Sequence, residues 1–290
     1  MKEYLDYLKA KHLDFTGKKI LLTGGNSGIG EWTFYYLASL GGEVTIASRN
    51  ASKGNQKVLE IKEKTNNQKL QYLPLDQSNK DSVNSFLEMV KNEHFDIIIL
   101  NAGIYFPKKD AAKVDGMPLT LATNLLGTFR LLEGLSKLFP NGRHVLTTSL
   151  AAEQPKDHDY DAYLKKEYSS RQMDYFVSKA GLNSLFFHYL KQGLDIVLFH
   201  PGVTKSNIIR EYATIIKKIG NGVLYLFTHS PSKACLGQVM ACSNEVKKGS
   251  YIVPDGLFHI SGYPKVIEPP LKYEKDAEVL YRVLSLKTKN

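Results

Sequence analysis

Tyr175 and Lys179 stand four residues apart in Tyr175-Phe176-Val177-Ser178-Lys179, a spacing that sets a phenol and an ammonium on one face of a helix. A phenol with an ordinary pKa near ~10 exchanges protons poorly at neutral pH, and a neighbouring ammonium lowers that value by favouring the phenolate. A serine hydroxyl, supplied by Ser149, could hydrogen-bond a carbonyl oxygen while the phenol delivers or removes a proton. Such a set suits hydride transfer to or from carbon, and the hydride must come from a nicotinamide, which a protein positions but does not replace. The tyrosine-lysine spacing alone selects nothing. It recurs at Tyr7 and Lys11 and at Tyr105 and Lys109, which read as decoys, since the motif alone is more often a solvated helix pair. Only the copy at Tyr175 lies downstream of a strand that brings a serine to the same end of a sheet.

A second constellation is Thr23-Gly24-Gly25-Asn26-Ser27-Gly28-Ile29-Gly30, which follows the apolar run Ile20-Leu21-Leu22 and enters an apolar-rich segment reaching Leu40. Strand, glycine-rich turn and helix in that order make a place for a pyrophosphate. Glycines without Cβ atoms take tight-turn dihedrals and let N–H groups reach phosphate oxygens at the positive end of the helix. The candidate contacts in this turn are Gly24, Asn26, Ser27, Gly28, Ile29 and Gly30.

Strands and helices must alternate to present these groups together, and the chain reads that way. Strands are expected at Val44–Ala47, Leu70–Leu75, Asp96–Leu100, His144–Thr148, Ile196–Phe199 and Ser250–Val253. Helical spacing runs to about Lys64, over Asp81–Asn92, over Leu119–Leu138 and over Tyr175–Lys191. The unbroken run Ile97-Ile98-Ile99-Leu100 is the mark of a strand covered on both faces. The expected fold is α/β: one doubly wound parallel sheet, a Rossmann fold with helices on both faces, filling a single domain over 1–290. Ligands then gather past the strand C-termini, where Ser48-Arg49, Asp76, Asn101, Ser149 and Pro201-Gly202 all fall. The tail over 257–290 shows little beyond its polarity and is expected to pack on or near the domain.

Taken jointly, the motifs resemble those of the short-chain dehydrogenase/reductase family over Lys18 to about Asp255. They are T-G-x-x-x-G-x-G at Thr23–Gly30, N-A-G at Asn101–Gly103, Asn124 in TNLLG, Ser149, Y-x-x-x-K at Tyr175–Lys179 and Pro201-Gly202. The resemblance implies an active set of Asn124, Ser149, Tyr175 and Lys179, with Asn124 at a helix distortion holding a water that links Lys179 to solvent. It further implies that Asp76 meets the adenine, that Asn101, Ala102 and Gly103 pack along the adenosine side, that Val203 and Thr204 approach the nicotinamide amide, and that Lys179 bonds the ribose. Thr147-Thr148-Ser149 stands where many members have two serines. The long interval from Ser149 to Tyr175 contains Asp157-His158-Asp159-Tyr160-Asp161 and looks like the insertion of the retinol-dehydrogenase-like branch. A solvated acidic loop is expected there, not a metal site. The implied activity is interconversion of a carbonyl and an alcohol. NADP(H) is the expected cofactor, because the second strand ends in Ser48-Arg49 with Lys53 close behind and no acid for ribose hydroxyls.

Two alternatives stand beside that reading. A binding-only regulatory or scaffold protein has no need of the proton donor Tyr175, and the epimerase or dehydratase branch of the superfamily usually has a different glycine spacing. The segment 205–230 is expected to form a substrate flap. Its Ile208, Ile209, Ile215, Ile216 and Phe227 could line an apolar cleft, be buried helix faces, or meet another subunit or a membrane; the interrupting Lys205, Arg210, Lys217 and Lys218 favour a flap over an anchor. The substrate is thus expected to be a small, apolar carbonyl or alcohol.

Composition closes off other classes. A net charge of +9 comes from 38 Lys and Arg against 29 Asp and Glu, scattered and without a nucleic-acid motif, so no nucleic-acid partner is expected. The two cysteines, Cys235 and Cys242, make neither a disulfide framework nor a metal site. No apolar stretch has the length of a transmembrane span, and the expected compartment is cytoplasmic. Oligomeric state is left open.

Overall fold

Short aliphatic runs persist as strands only where helices cover both their faces, and four-residue Ile97–Leu100 is buried at every position. The computed structural model describes residues 2–105, 107, 113–155, 160–165, 170–204 and 228–289. Its strands are β1 (Lys19–Thr23), β2 (Glu43–Ser48), β3 (Leu70–Pro74), β4 (Ile97–Leu100), β5 (Arg143–Thr147), β6 (Ile196–Phe199), β7 (Tyr251–Pro254) and β8 (Pro264–Ile267). They form one sheet in the order β3-β2-β1-β4-β5-β6-β7-β8. All pairings are parallel except that of β7 with β8. The expectation of a parallel sheet is corrected at this one edge. The link from Pro254 to Pro264 is too short for a crossover helix, so the chain can return only antiparallel.

Helices α1 (Lys2–Ala10), α2 (Gly28–Ser39) and α3 (Ala51–Thr65) cover one face, and α4 (Lys80–Val90) belongs to the other. Alternate strand residues feed the two cores: Ile20, Leu22, Ile46, Ile99 and Val197 on one side, Leu21, Ala47, Ile98, Leu146 and Leu198 on the other. Asn50 caps α3 by accepting from the Lys53 N–H at 2.9 Å, and Asn79 caps α4 through the Ser82 N–H at 2.8 Å.

The helix expected over Leu119–Leu138, with a distortion at Asn124, is in three parts: α5 (Leu119–Leu121), a π-helical turn Ala122–Gly127 that contains Asn124, and α6 (Thr128–Leu138). The widened turn packs tightly on Gln77. A Cβ on Gly127 would fall 2.0 Å from the Gln77 carbonyl oxygen, while Gln77 Nε2 donates to the Thr123 carbonyl at 2.7 Å and to Thr128 Oγ1 at 3.0 Å. A side chain thereby takes up a backbone acceptor at the distorted turn.

After α7 (Tyr160–Lys165), α8 (Arg171–Lys191) begins four residues before Tyr175, where Ser170 Oγ accepts from the Met173 N–H at 3.0 Å. Next come α9 (Pro231–Ala234), α10 (Leu236–Ala241) and the tail helix α11 (Ala277–Lys289). The tail is more than polar chain. Leu280 and Leu284 are buried, the Tyr281 ring stacks on His188 at 3.8 Å, and the Tyr273 hydroxyl donates to the Ala152 carbonyl at 2.7 Å. No helix among the described residues is long and apolar enough to cross a membrane. Cys235 and Cys242 are buried, and burial pushes their thiols up, Cys242 to about 12.

Two buried histidines give the fold an acid limit. Burial pushes His144 down to about 4 despite its contact with the Gly142 carbonyl, and burial followed by repulsion from His259 and His229 pushes His200 down to about 3. Both folded values lie below the ordinary ~6.5 of the unfolded chain. Their stabilising contribution is therefore complete above that value and is lost as pH falls toward the folded values. The unfolded chain takes up two protons that the fold refuses, a slope of roughly 3 kcal/mol per pH unit between pH ~6 and ~4.5. Urea midpoints should fall steeply over that window, and His144→Gln should reduce the slope. A flat midpoint from pH 7 to 5 would refute this account.

Candidate active site

The sheet order reverses between β1 and β4, and the chains leaving those two strands part to open a crevice. Thr23 holds its two sides together. Its Oγ1 accepts from the N–H groups of Asn101 and Ala102, each at 3.0 Å, and Asn101 Nδ2 donates to the Thr23 carbonyl at 2.9 Å. Gly24 and Gly28 have φ of 73° and 60°, left-handed values that other residues resist. Gly30 is needed for a different reason: a Cβ there would stand 2.2 Å from the Gly24 carbonyl oxygen.

The helix that starts here differs from its neighbours. Ser27, at the N-cap of α2, makes no side-chain cap, whereas Asn50, Asn79 and Ser170 all cap theirs. The α2 terminus therefore faces the crevice with backbone N–H groups and a positive dipole. Ser48 Oγ, at the end of β2, is buried without a hydrogen-bond partner among the described residues, and Arg49 and Lys53 are exposed beside it. An uncapped helix end, glycines leaving no Cβ in the turn, an orphaned hydroxyl and two cations fit a phosphorylated dinucleotide.

A continuous cleft of about 1050 Å³ runs from this turn to Tyr175. Gly24, Asn26, Ser27, Gly28, Ile29, Gly30, Ser48, Arg49, Asp76, Asn101, Ala102 and Gly103 line one part of it, and Ser149, Tyr175, Lys179, Pro201, Gly202, Val203 and Thr204 the other. Asn124 does not line it. Its side chain lies behind the wall, where Oδ1 accepts from the Ile104 N–H at 2.8 Å and Nδ2 donates to the Ile104 carbonyl at 2.9 Å. The amide thus ties the π-helical turn to the segment that follows Gly103, and it also contacts Ser178 Oγ at 3.3 Å.

Lys179 is buried. Its Nζ donates to the Thr147 carbonyl at 3.0 Å and lies 5.8 Å from the centre of the Tyr175 ring, and burial pushes its ammonium down to about 8. Ser149 Oγ accepts from the Ala151 N–H at 3.2 Å, an arrangement that leaves its hydroxyl hydrogen for another acceptor. Asp76 Oδ1 accepts from the Ser78 N–H and hydroxyl at 3.0 and 2.7 Å, which fixes the carboxylate at the cleft. At Gly202 φ is 72°, and a Cβ would strike the Ile260 carbonyl oxygen at 2.3 Å. Both backbone groups of Val203 are engaged, its N–H with Ile260 and its carbonyl with His229.

Tyr105, read as a decoy with Lys109, nonetheless lines the cleft with its ring 4.4 Å from that of Tyr175 in an edge-to-face arrangement. Lys109 lies outside the described residues. So do Asp157, His158, Asp159 and the flap segment 205–227. Tyr7 is remote, packed on Tyr263 at 4.8 Å. Sequence reasoning also missed Gln77 and Gln238, buried amides that brace the wall; a glutamine inside the apolar run Leu236–Ala241 was the available signal.

A doubly wound sheet with a glycine-rich turn at its switch point and a tyrosine-lysine pair across the cleft defines a nucleotide-binding α/β protein of dehydrogenase type. Residues 18–214 match the short chain dehydrogenase family, and the chain belongs to it. Human retinol dehydrogenase 12 is 35% identical over 211 residues, covering 69% of this chain and 65% of that protein, and human retinol dehydrogenase 11 is 32% identical over 206 residues, covering 67% and 63%. The chain thus spans slightly under two thirds of these curated relatives. Short chain dehydrogenase FGM9 of Gibberella zeae is 28% identical over 94% of this chain and 86% of its own length. Among solved structures, an uncharacterised protein from Mycobacterium paratuberculosis superposes with a TM-score of 0.72 at 24% identity over 96% of this chain and 95% of its own, a likeness of fold.

Proposed function

We propose that this chain is an NADP(H)-preferring oxidoreductase that interconverts an apolar aldehyde or ketone and its alcohol. The observation that carries the reading is the meeting of Ser149, Tyr175 and the buried Lys179 in the same cleft as the uncapped end of α2. Relatives named retinol dehydrogenase, and solved structures of a sorbose reductase complexed with NADPH and of RhlG with NADP, support it.

Gly24 to Gly30 and the α2 terminus would hold the pyrophosphate, Asp76 the adenine side, Ser48 and Arg49 the 2′-phosphate, and Lys179 the ribose. When bound, the nicotinamide supplies or takes up hydride at the substrate carbon. Ser149 donates its hydroxyl hydrogen to the substrate oxygen, and the Tyr175 phenol gives that oxygen its proton as the carbonyl is reduced. The Lys179 ammonium stabilises the phenolate left behind. Asn124 acts from behind, holding the Ile104 segment in place.

Substrate preference follows from the far end of the cleft, where Tyr105, Leu150 and Phe176 stand among the lining residues. In an assay with NADPH, kcat/KM should rise along a series of aldehydes of increasing chain length, by up to ~0.8 kcal/mol, or a factor of about four, for each methylene buried. Rates that stay flat along the series, with small charged carbonyl compounds reduced faster, would reject the apolar substrate while leaving the reductase reading in place. Absence of turnover with every carbonyl and alcohol tried would reject the reductase reading itself.

A further inference from the structure

Gln238 is wholly buried on α10, between the apolar neighbours Gly237 and Val239, and its amide is fully engaged. Oε1 accepts from Thr33 Oγ1 of α2 at 2.5 Å. Nε2 spends one hydrogen on Asn101 Oδ1 at 3.2 Å and the other on Thr147 Oγ1 at 2.7 Å. One amide therefore joins the helix behind the glycine turn, the end of β4 and the end of β5. None of these partners is a bystander. With Oδ1 held by Gln238, Asn101 must present Nδ2 to the Thr23 and Gly24 carbonyls, at 2.9 and 3.4 Å, and so braces the turn. Thr147, held through its hydroxyl, offers the carbonyl that receives Lys179 Nζ at 3.0 Å.

We propose that Gln238 is a positioning residue that sets Asn101 and Thr147, and through them both the glycine turn and Lys179, so that one buried amide couples nucleotide affinity to the proton relay. The proposal rests on the functional reading above. Its physical basis is that a hydrogen-bond network inside the protein is rigid only while every member is satisfied. Removing the amide leaves Asn101 Oδ1 without its donor, which loosens the hold that aims Nδ2 at the Thr23 and Gly24 carbonyls, and frees Thr147 to shift the acceptor of Lys179. With that acceptor displaced, the buried ammonium loses a hydrogen bond to its charged form, and burial pushes it down further.

The test compares the wild-type chain with Gln238→Met, which keeps length without hydrogen bonds, Gln238→Glu, which when protonated restores one donor, and Val239→Ala, a buried neighbour without polar contacts. Three quantities are measured: the NADPH dissociation constant from nucleotide fluorescence, the pH profile of kcat, and Tm. Gln238→Met should weaken NADPH binding about tenfold. It should also move the basic limb of the kcat profile, set by loss of the Lys179 ammonium, to lower pH, with Gln238→Glu falling between it and wild type. Val239→Ala should lower Tm while leaving affinity and profile unchanged. A folded Gln238→Met with wild-type affinity and profile overturns the proposal alone, as does a Val239→Ala that shifts both equally. A wild-type chain that binds no NADPH overturns the functional reading and this proposal together.

Discussion

Tyr175→Phe should lower kcat by about 10²–10⁴-fold while leaving the NADPH dissociation constant within about twofold of wild type. The substitution removes one oxygen and keeps the ring. The edge-to-face packing against Tyr105 at 4.4 Å and the position of Lys179 beside the ring survive it. Only the proton transfer is lost, and that interaction exists in the transition state alone, so the effect belongs in kcat. Tyr7→Phe is the proper control, since Tyr7 packs on Tyr263 with Lys11 at 5.9 Å and so reproduces the spacing without the cleft. Tyr105 is a poor control because its ring touches the one under test. Steady-state rates and nucleotide titrations on the two variants decide the matter: a Tyr175→Phe enzyme that keeps most of its kcat, or a Tyr7→Phe enzyme equally impaired, removes Tyr175 from the mechanism.

Much of this was legible in the sequence because the informative residues answer to local rules. Gly24, Gly28 and Gly30 are required by dihedral angle or by close approach, and each requirement acts within a few residues along the chain. Unbroken runs such as Ile97–Leu100 announce a strand buried on both faces, and strand ends fix where ligands gather. What stayed hidden depends on contacts between distant residues. Tyr105 reaches Tyr175 across the cleft, and Gln238 reaches Thr33, Asn101 and Thr147 across the sheet. The π-helical turn at Ala122–Gly127, which packs on Gln77, was foreshadowed only by the family resemblance that put Asn124 at a helix distortion, because helical periodicity is blind to one extra residue in a turn. The tail was expected to pack on or near the domain, but which residues do so was hidden: the buried Leu280 and Leu284 are four residues apart on one face, a weak signal beside exposed Val279 and Leu286.

Arg49→Ala should raise the KM for NADPH by roughly 10–100-fold and that for NADH by less than about threefold. The two nucleotides differ only by the phosphate on the adenosine ribose, so the ratio isolates whatever meets that group. β2 ends at Ser48, whose buried hydroxyl has no hydrogen-bond partner among the described residues, and the exposed Arg49 and Lys53 stand at the same rim of the cleft. A carboxylate at this strand end would accept from ribose hydroxyls and repel a phosphate; the forked guanidinium does the opposite. Because Arg49 is exposed, part of its attraction is screened, and the NADPH preference should shrink as salt is raised. Arg49→Lys should recover only part of the loss, since an ammonium attracts the phosphate as a point charge without bidentate geometry. The measurement is KM for both nucleotides at two ionic strengths. Equal losses for the two nucleotides in Arg49→Ala would place the 2′-phosphate elsewhere, a wild-type preference for NADH would reject the NADP(H) preference itself, and either result would leave Tyr175 and Lys179 untouched.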